Sequence, residues 1–275
     1  MSVVIESDTW PMRRARGLTF TSRFNALPYR LGISIPLIDA PDGGYPVFYV
    51  LDGDSLFGSA SETARTQSLF GKSIEAALVV AIGYPVEDLR GLVHRRYRDL
   101  TTPSPPEQME PTDLYFGAQN GGMDAFLSVI GDEIFPLISD RFAVDSQRRT
   151  IFGHSLGGLT ALRALLTRPG MFDRVIASSP SLHWNDGAIR REIDDFITGS
   201  PINADRPALL MLVGGLETEE RFPMVANAID AAERLKPAVP SRLRALSLHV
   251  FDDENHESVI PAALSRAVRF AFARR

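Results

Sequence analysis

The sequence predicts an α/β fold with a mostly parallel central sheet and helices on both faces. Apolar, β-branched runs of strand length alternate with segments of helical periodicity, which is the pattern of successive βα units. Several of these runs are apolar at nearly every position, as strands covered on both faces are. The chain has 275 residues, of which 44% are hydrophobic and 23% charged, and this fits one globular domain over 1–275.

Eight segments are predicted to be strands of this sheet. The first, "LTFTSRF" at 18–24, has no helix after it, so we expect the sheet to begin with antiparallel strands. The later strands are predicted at 29–37, 46–52, 76–84, 148–154, 174–180, 208–215 and 245–251. Amphipathic helices are predicted at 121–138, 156–167, 222–235 and 258–273.

The segment 87–122 interrupts the alternation of strands and helices. It is rich in proline and charge and has no sustained period, which predicts one long loop. The loop begins where the strand at 76–84 ends. Ligands of open α/β sheets bind at the carboxyl ends of the strands, so we expect this loop to border the active site.

Composition and charge exclude several classes of function. The formal net charge of −5 provides no overall basic field to attract nucleic acid or an anionic membrane. The count of 0 cysteines excludes disulfides, thiolate catalysis and cysteine zinc sites. The acidic "DGDS" that follows "FYVL" lacks the spacing of a calcium loop, so we expect no metal and no cofactor. The N-terminus has no signal-peptide pattern and no apolar run approaches ~20 residues, which predicts a cytoplasmic protein.

Ser155 is the candidate nucleophile. The pentapeptide "GHSLG" at 153–157 matches G-x-S-x-G, and it lies where the strand at 148–154 meets the helix at 156–167. This context indicates a nucleophile elbow, a strained turn that exposes the serine hydroxyl beyond the sheet. The Leu156 N–H, at the start of the helix, is positioned to stabilise an oxyanion. The alternative is a tight strand–helix turn that contains an incidental serine.

A serine hydroxyl needs a base and, in most such sites, an acid. His256 lies between the last strand and the last helix, which places it at the same sheet edge as Ser155. The acid is expected between them, in the order Ser, acid, His. Glu217 is the first carboxylate after the strand at 208–215, and Glu219 and Glu220 remain competitors.

The loop after an earlier central strand is expected to supply a second oxyanion donor. The strand at 46–52 ends in "LDGD", where the Asp-Gly pair turns the chain sharply. The Asp54 N–H is therefore the predicted donor.

Several separate motifs, in order along the chain, resemble one known family. They include "YPVFYVLDGD", "VVAIGYP", "RRYRDLT", "GGMDAFLSVI", "RRTIFGHSLGG" and "ENHESVIP", and the likeness extends from about Arg30 to the C-terminus. Together they are similar to the Putative esterase family of α/β-hydrolases, which includes esterase D and the enterochelin esterases. The likeness is greatest to the branch that hydrolyses trilactone siderophores. The resemblance implies an α/β-hydrolase fold.

The same resemblance implies roles for individual residues. It implies Ser155 as nucleophile and His256 as base, with oxyanion donors at Leu156 and Asp54. Relatives often have Gly-x-Leu-Glu where this chain has "GGLE", which supports Glu217 as the acid. Some members of the branch work as a Ser–His dyad, so the acid is dispensable in that alternative.

Arginines of 87–122 and two residues after "SPSL" are candidates for binding the substrate. The arginines either form a solvated charged face or recognise an anionic or aromatic acyl group, which planar guanidinium suits. Arg96 falls on the motif arginine of the family, and "HW" stands where relatives tend to have two tryptophans. The candidates are Arg95, Arg96, Arg98, His183 and Trp184.

These observations predict a serine carboxylic ester hydrolase that forms an acyl-enzyme with Ser155. The resemblance implies a small-molecule ester as the substrate, of the siderophore type and anionic when ferric. The alternatives are a general carboxylesterase, a thioesterase or an acyltransferase of the same family. A hydrolase fold used only for binding is a further alternative, and a peptidase is the least favoured.

Overall fold

A computed structural model describes residues 12–69, 73–108, 119–202 and 206–274. Within these ranges, eight strands form one sheet in the order β1-β2-β4-β3-β5-β6-β7-β8. Each strand predicted from the sequence overlaps one of them. The strands are Ala15–Thr21 (β1), Pro28–Ser34 (β2), Tyr45–Val50 (β3), Leu78–Gly83 (β4), Val144–His154 (β5), Arg174–Ser178 (β6), Ala208–Gly214 (β7) and Ala245–Phe251 (β8).

The sheet is mostly parallel, as predicted, and its antiparallel part is at the N-terminus. β2 pairs antiparallel with both β1 and β4. From β4 onwards every neighbouring pair is parallel. The connection from β1 to β2 spans only 22–27, which is too short for the crossover that parallel strands require. The carboxyl ends of β3, β5, β6 and β7 therefore lie side by side at one edge.

Helices cover both faces of the sheet in the described ranges. One hydrophobic core cluster packs the helices Gly53–Leu69 and Val259–Phe272 against one face of the sheet. A second cluster packs the other helices against the opposite face. This explains why β3, β4 and β7 are buried at every position. None of the helices in this part of the chain is long and apolar enough to cross a bilayer. They are Gly53–Leu69 (α1), Leu89–Leu100 (α2), Met123–Val129 (α3), Phe135–Ser139 (α4), Leu156–Thr167 (α5), Ile189–Thr198 (α6), Met224–Leu235 (α7) and Val259–Phe272 (α8).

The prediction of one loop over 87–122 is wrong for its first part, which forms α2. Asp88 caps this helix by accepting a hydrogen bond from the Gly91 N–H at 2.8 Å. The buried face of α2 includes Arg95 and Asp99, which pair with each other. The apolar periodicity of α2 is therefore weak, and its sequence does not show the apolar stripe that predicts an amphipathic helix. Residues 109–118 of the segment lie outside the described ranges.

Candidate active site

Three residues with left-handed backbone follow neighbouring strands at the carboxyl edge of the sheet. Asp52, Ser155 and Ser179 have φ values of +55°, +58° and +39°, respectively. They come directly after, or two residues after, the ends of β3, β5 and β6. Residues other than glycine rarely adopt such φ values, and those that do are concentrated at functional sites. This edge is therefore a candidate catalytic site.

Ser155 occupies the predicted elbow between β5 and α5. Its N–H donates to the Ser178 carbonyl at 3.0 Å, which ties the turn to β6. A Cβ at Gly153 would lie 2.0 Å from the Gly157 carbonyl oxygen, so this position must be glycine. At Gly157 a Cβ would meet side-chain atoms alone, the Asp52 carboxylate at 3.3 Å and Leu51 at 3.4 Å. Close packing of the turn thus makes glycine more necessary at Gly153 than at Gly157.

His256 and Glu217 form a hydrogen-bonded pair. The His256 Nδ1 lies 2.6 Å from Glu217 Oε2, and the carboxylate is buried. Burial raises the pKa of Glu217, but hydrogen bonds from His256, Ser179 and the Gly214 N–H outweigh it and leave the pKa below its ordinary value. Glu217 is therefore ionised at neutral pH and can orient the imidazole. Of the three glutamates considered from the sequence, it is the one that contacts His256.

Ser155 and His256 line the same cavity, which has a volume of about 810 Å³. In the described part of the chain, the hydrogen-bond partner of Ser155 Oγ is Ser181 Oγ, at 3.2 Å. The His256 ring packs against the ring of His154 with centroids 4.6 Å apart. Burial, and next the charge on His256, lower the pKa of His154 to about 4, so His154 is neutral at pH 7. His154 therefore packs as a buried, neutral neighbour of His256.

Four of the predicted binding and oxyanion residues line the cavity, and sequence reasoning missed several others. Its walls carry both signs of charge. The predicted residues that line it are Arg96, Leu156, His183 and Trp184. Glu219, a candidate acid from the sequence, also lines it. The lining residues that were missed include Tyr97, Ser181, Asp186, Arg221, Phe222, Asn255 and Glu257.

His183 and Trp184 form one wall of the cavity together with aromatic neighbours. The His183 ring packs on Phe222 at 4.5 Å between centroids, and its Nδ1 is buried without a partner among the described atoms. Burial, then the charge on His256, lower the pKa of His183 to about 4. Trp184 packs against Tyr97 at 5.8 Å and donates from Nε1 to the Thr102 carbonyl at 2.9 Å. This wall is therefore aromatic and uncharged at pH 7.

Arg96 lines the cavity with a charge that is already compensated. Its Nε and one terminal nitrogen donate to the two oxygens of Asp52 at 2.5 and 3.0 Å. The Asp52 carboxylate raises the pKa of Arg96 above its ordinary value. The pair fastens α2 to the turn after β3, and only the remaining guanidinium N–H groups can bind a substrate.

The prediction that Arg95 binds substrate is wrong. Its guanidinium lies over the rings of Tyr29 and Tyr84 at 4.9 and 4.6 Å, and it donates to the Pro28 carbonyl at 2.8 Å. It also pairs with the buried Asp99 at 3.3 Å. Successive residues of a helix point about 100° apart, so Arg95 faces the core where Arg96 faces the cavity.

Arg98 is hydrogen-bonded to a described residue that does not line the cavity. Its guanidinium donates to Gln119 Oε1 at 3.2 Å. Within the described ranges it is not one of the residues that line the cavity. The predicted substrate contact of Arg98 therefore finds no counterpart there.

Arg95→Met is expected to destabilise the fold rather than the substrate complex. It leaves the Asp99 carboxylate buried without its cation, which costs about 3–5 kcal/mol in comparable pairs. The free energy of unfolding in denaturant should fall by this amount, whereas Arg98→Met should change it by less than about 0.5 kcal/mol. Equal values for both variants would contradict the structural role given to Arg95.

Asp54 lies at the start of α1, where backbone N–H groups have no partner within the helix. Its carboxylate accepts from the Tyr84 N–H at 2.6 Å and pairs with Arg30. In the described part of the chain, Leu156 lines the cavity and Asp54 does not. The oxyanion role of the Asp54 amide stays a prediction.

Comparison with known proteins places the chain in a family. The sequence model of the family described as "Putative esterase" matches residues 25–211. The chain belongs to the Putative esterase family. It is therefore a carboxylic ester hydrolase, as the motifs predicted.

Two curated relatives of this esterase are named as siderophore esterases. The chain is 37% identical to the ferri-bacillibactin esterase BesA of Bacillus subtilis, over 91% of the chain and 87% of BesA. It is 33% identical to the siderophore triacetylfusarinine C esterase of Aspergillus fumigatus, over 89% of each chain.

Solved structures show the same fold for this esterase. The siderophore hydrolase EstA from Aspergillus nidulans superposes with a TM-score of 0.86 at 30% identity, over 98% of both chains. The BES protein from Bacillus cereus superposes with a TM-score of 0.84 at 30% identity, over 98% of this chain and 99% of that one. The predicted α/β-hydrolase fold is confirmed.

Proposed function

We propose that this esterase hydrolyses the ester bonds of a siderophore through an acyl-enzyme formed on Ser155. The main support for this mechanism is that Ser155, at its strained elbow, lines the same cavity as the hydrogen-bonded pair His256–Glu217. The siderophore substrate is supported by the names of relatives that match about nine-tenths of the chain.

His256 acts as the general base in the first step. Its Nδ1 is engaged by Glu217, so Nε2 is the ring nitrogen that takes the proton of Ser155. The Ser155 oxygen forms a bond to the carbonyl carbon of the ester, and the C–O bond to the alcohol then breaks. His256 returns its proton to the leaving alcohol, and Glu217 stabilises the imidazolium while it exists.

The second step releases the acid. His256 takes a proton from water, the hydroxide adds to the acyl carbon, and the bond to the Ser155 oxygen breaks with return of the proton to that oxygen. The amides of Leu156 and Asp54 stabilise the tetrahedral oxyanion in both steps. The loss of one such donor costs about 3 kcal/mol of barrier in enzymes of this type.

The walls of the cavity suit a substrate with both aromatic and charged parts. Tyr97, Trp184 and Phe222 offer rings against which a planar acyl group can pack. Charged side chains of both signs lie around them, in contrast to the apolar groove that a simple acyl chain would require. The volume of about 810 Å³ falls within the range of small-molecule sites.

Chromatography of siderophores after incubation with the purified protein tests the proposal. The substrates would be a tricatecholate trilactone and a hydroxamate triester, each in apo and ferric form, with p-nitrophenyl acetate for comparison. We expect at least one siderophore to be converted to linear products, and Ser155→Ala to leave it intact. Intact siderophores beside rapid turnover of the simple ester would instead favour a general carboxylesterase.

A further inference from the structure

The end of β6 and the turn that follows it direct three serine hydroxyls to three side chains of the site. The sequence "SSPS" at 178–181 supplies them. Each hydroxyl has a different partner. The three partners are the candidate nucleophile Ser155, the candidate acid Glu217, and His154, which packs against His256. The pairs are Ser178 Oγ with His154 Nδ1 at 3.2 Å, Ser179 Oγ with Glu217 Oε1 at 2.5 Å, and Ser181 Oγ with Ser155 Oγ at 3.2 Å.

Ser179 has the most constrained position in this turn. It is fully buried, its φ is +39°, and its N–H donates to the Leu212 carbonyl at 2.7 Å. Glycine adopts this region of φ without steric cost, whereas serine does not. What serine adds at this position is the hydroxyl that donates to Glu217.

Glu217 depends on fixed donors to keep its orientation. A glutamate side chain has three rotatable torsions, so its carboxylate must be fastened if one oxygen is to remain on a histidine. Its Oε1 accepts from the Ser179 hydroxyl and from the Gly214 N–H at 2.7 Å. These two bonds fill one oxygen and leave Oε2 directed at His256, 2.6 Å away.

We propose that Ser179 is a positioning residue of the esterase reaction, whose hydroxyl fixes the Glu217 carboxylate so that its second oxygen remains on His256. The inference rests on the function proposed above, in which Glu217 orients His256. The Ser179 proton is not transferred, because its O–H donates to the carboxylate in every state of the cycle. Its contribution is greatest when His256 carries the extra proton, since the fixed carboxylate then stabilises the imidazolium.

Ser179→Gly removes the hydroxyl and accommodates the left-handed backbone, so it separates positioning from folding. We expect kcat to fall about 10-fold, which is typical for a hydrogen bond to a charged group, with KM unchanged and cooperative thermal unfolding retained. The loss of one donor should also raise the pKa of Glu217. The acid limb of the kcat profile should therefore move to higher pH, because the carboxylate is then protonated sooner as the pH falls.

A double-mutant cycle with Glu217→Gln completes the test, with Ser155→Ala measured beside it. Ser179→Gly should cause no further loss of kcat in the Glu217→Gln background, because its effect passes through the carboxylate. The inference is overturned if Ser179→Gly has wild-type kcat and pH profile, or if it lowers kcat equally in both backgrounds. If Ser155→Ala is inactive, either result leaves the proposed function standing. Hydrolysis by Ser155→Ala would overturn the proposed function and this inference with it.

Discussion

Ser155→Ala is expected to lower kcat/KM for ester hydrolysis by roughly 10⁴-fold or more, to the level left by binding and the oxyanion donors. Without the Ser155 oxygen no acyl-enzyme can form, and His256 has no hydroxyl to activate. Alanine and serine face the same backbone restriction at φ +58°, so the elbow should retain its geometry. Initial rates with a p-nitrophenyl ester and with a siderophore should fall together.

Ser61→Ala is the matched control for this variant. Ser61 is a buried serine of α1 whose hydroxyl has no partner among the described atoms. Ser61 is not one of the described residues that line the cavity, so its removal deletes the same group outside it, and both rates should stay at the wild-type value. A rate of ester hydrolysis by Ser155→Ala within about 10-fold of wild type would contradict the nucleophile assignment. Each tenfold change in this rate corresponds to about 1.4 kcal/mol of activation free energy.

His256→Gln is expected to lower kcat by roughly 10³-fold or more, since it removes the group that transfers protons in both steps. The glutamine amide can still donate a hydrogen bond to Glu217, so the buried carboxylate is not left alone. The loss should appear with any leaving group, although a good leaving alcohol needs less protonation. Stopped assays of kcat and KM with two esters of different leaving-group acidity measure it.

His249→Gln provides the comparison for the histidine. His249 is on β8, packs edge-on against Phe251, and is not a lining residue of the cavity in the described ranges. Its substitution should leave kcat within about twofold of wild type. Equal losses in the two histidine variants would mean that His256 acts through the fold instead of the chemistry.

The sequence brings the candidate nucleophile, base and acid to one edge of the sheet because chain order and sheet topology constrain them together. Residues that directly follow parallel strands meet at one edge, whatever the details of their side chains. Ser155, Glu217 and His256 each follow a strand that is apolar enough to recognise. The contact between Glu217 and His256 then distinguishes this glutamate from Glu219, which spacing alone did not do.

The sequence was insufficient where the direction of a side chain depends on tertiary contacts. Arg95 and Arg96 are adjacent and chemically identical, yet one packs on tyrosines in the core and the other pairs with Asp52. A segment interpreted as a loop offers no periodicity to tell them apart. Recognition of α2 as a helix would have separated the two faces, because neighbouring residues on a helix diverge by about 100°.

Small polar residues of the turns were missed for a different reason. Ser179 and Ser181 have no hydrophobic pattern, and serine is common in turns of every kind. Their roles follow from the distances to Glu217 and Ser155, which only the folded chain defines. Helix α1 was missed in a similar way, because its buried face is made largely of small residues such as Ala60, Ser61 and Ala64.

Labelling with a fluorophosphonate tests the central claim most directly, because this reagent phosphonylates an activated serine and remains attached to it. Aliquots taken during labelling would be assayed for hydrolysis of both a simple ester and a siderophore, and the labelled residue located by peptide mapping. We predict one phosphonyl group per chain, located on Ser155, with both activities lost in proportion to labelling. Label on another residue, or siderophore hydrolysis that persists when Ser155 is fully labelled, would contradict the account.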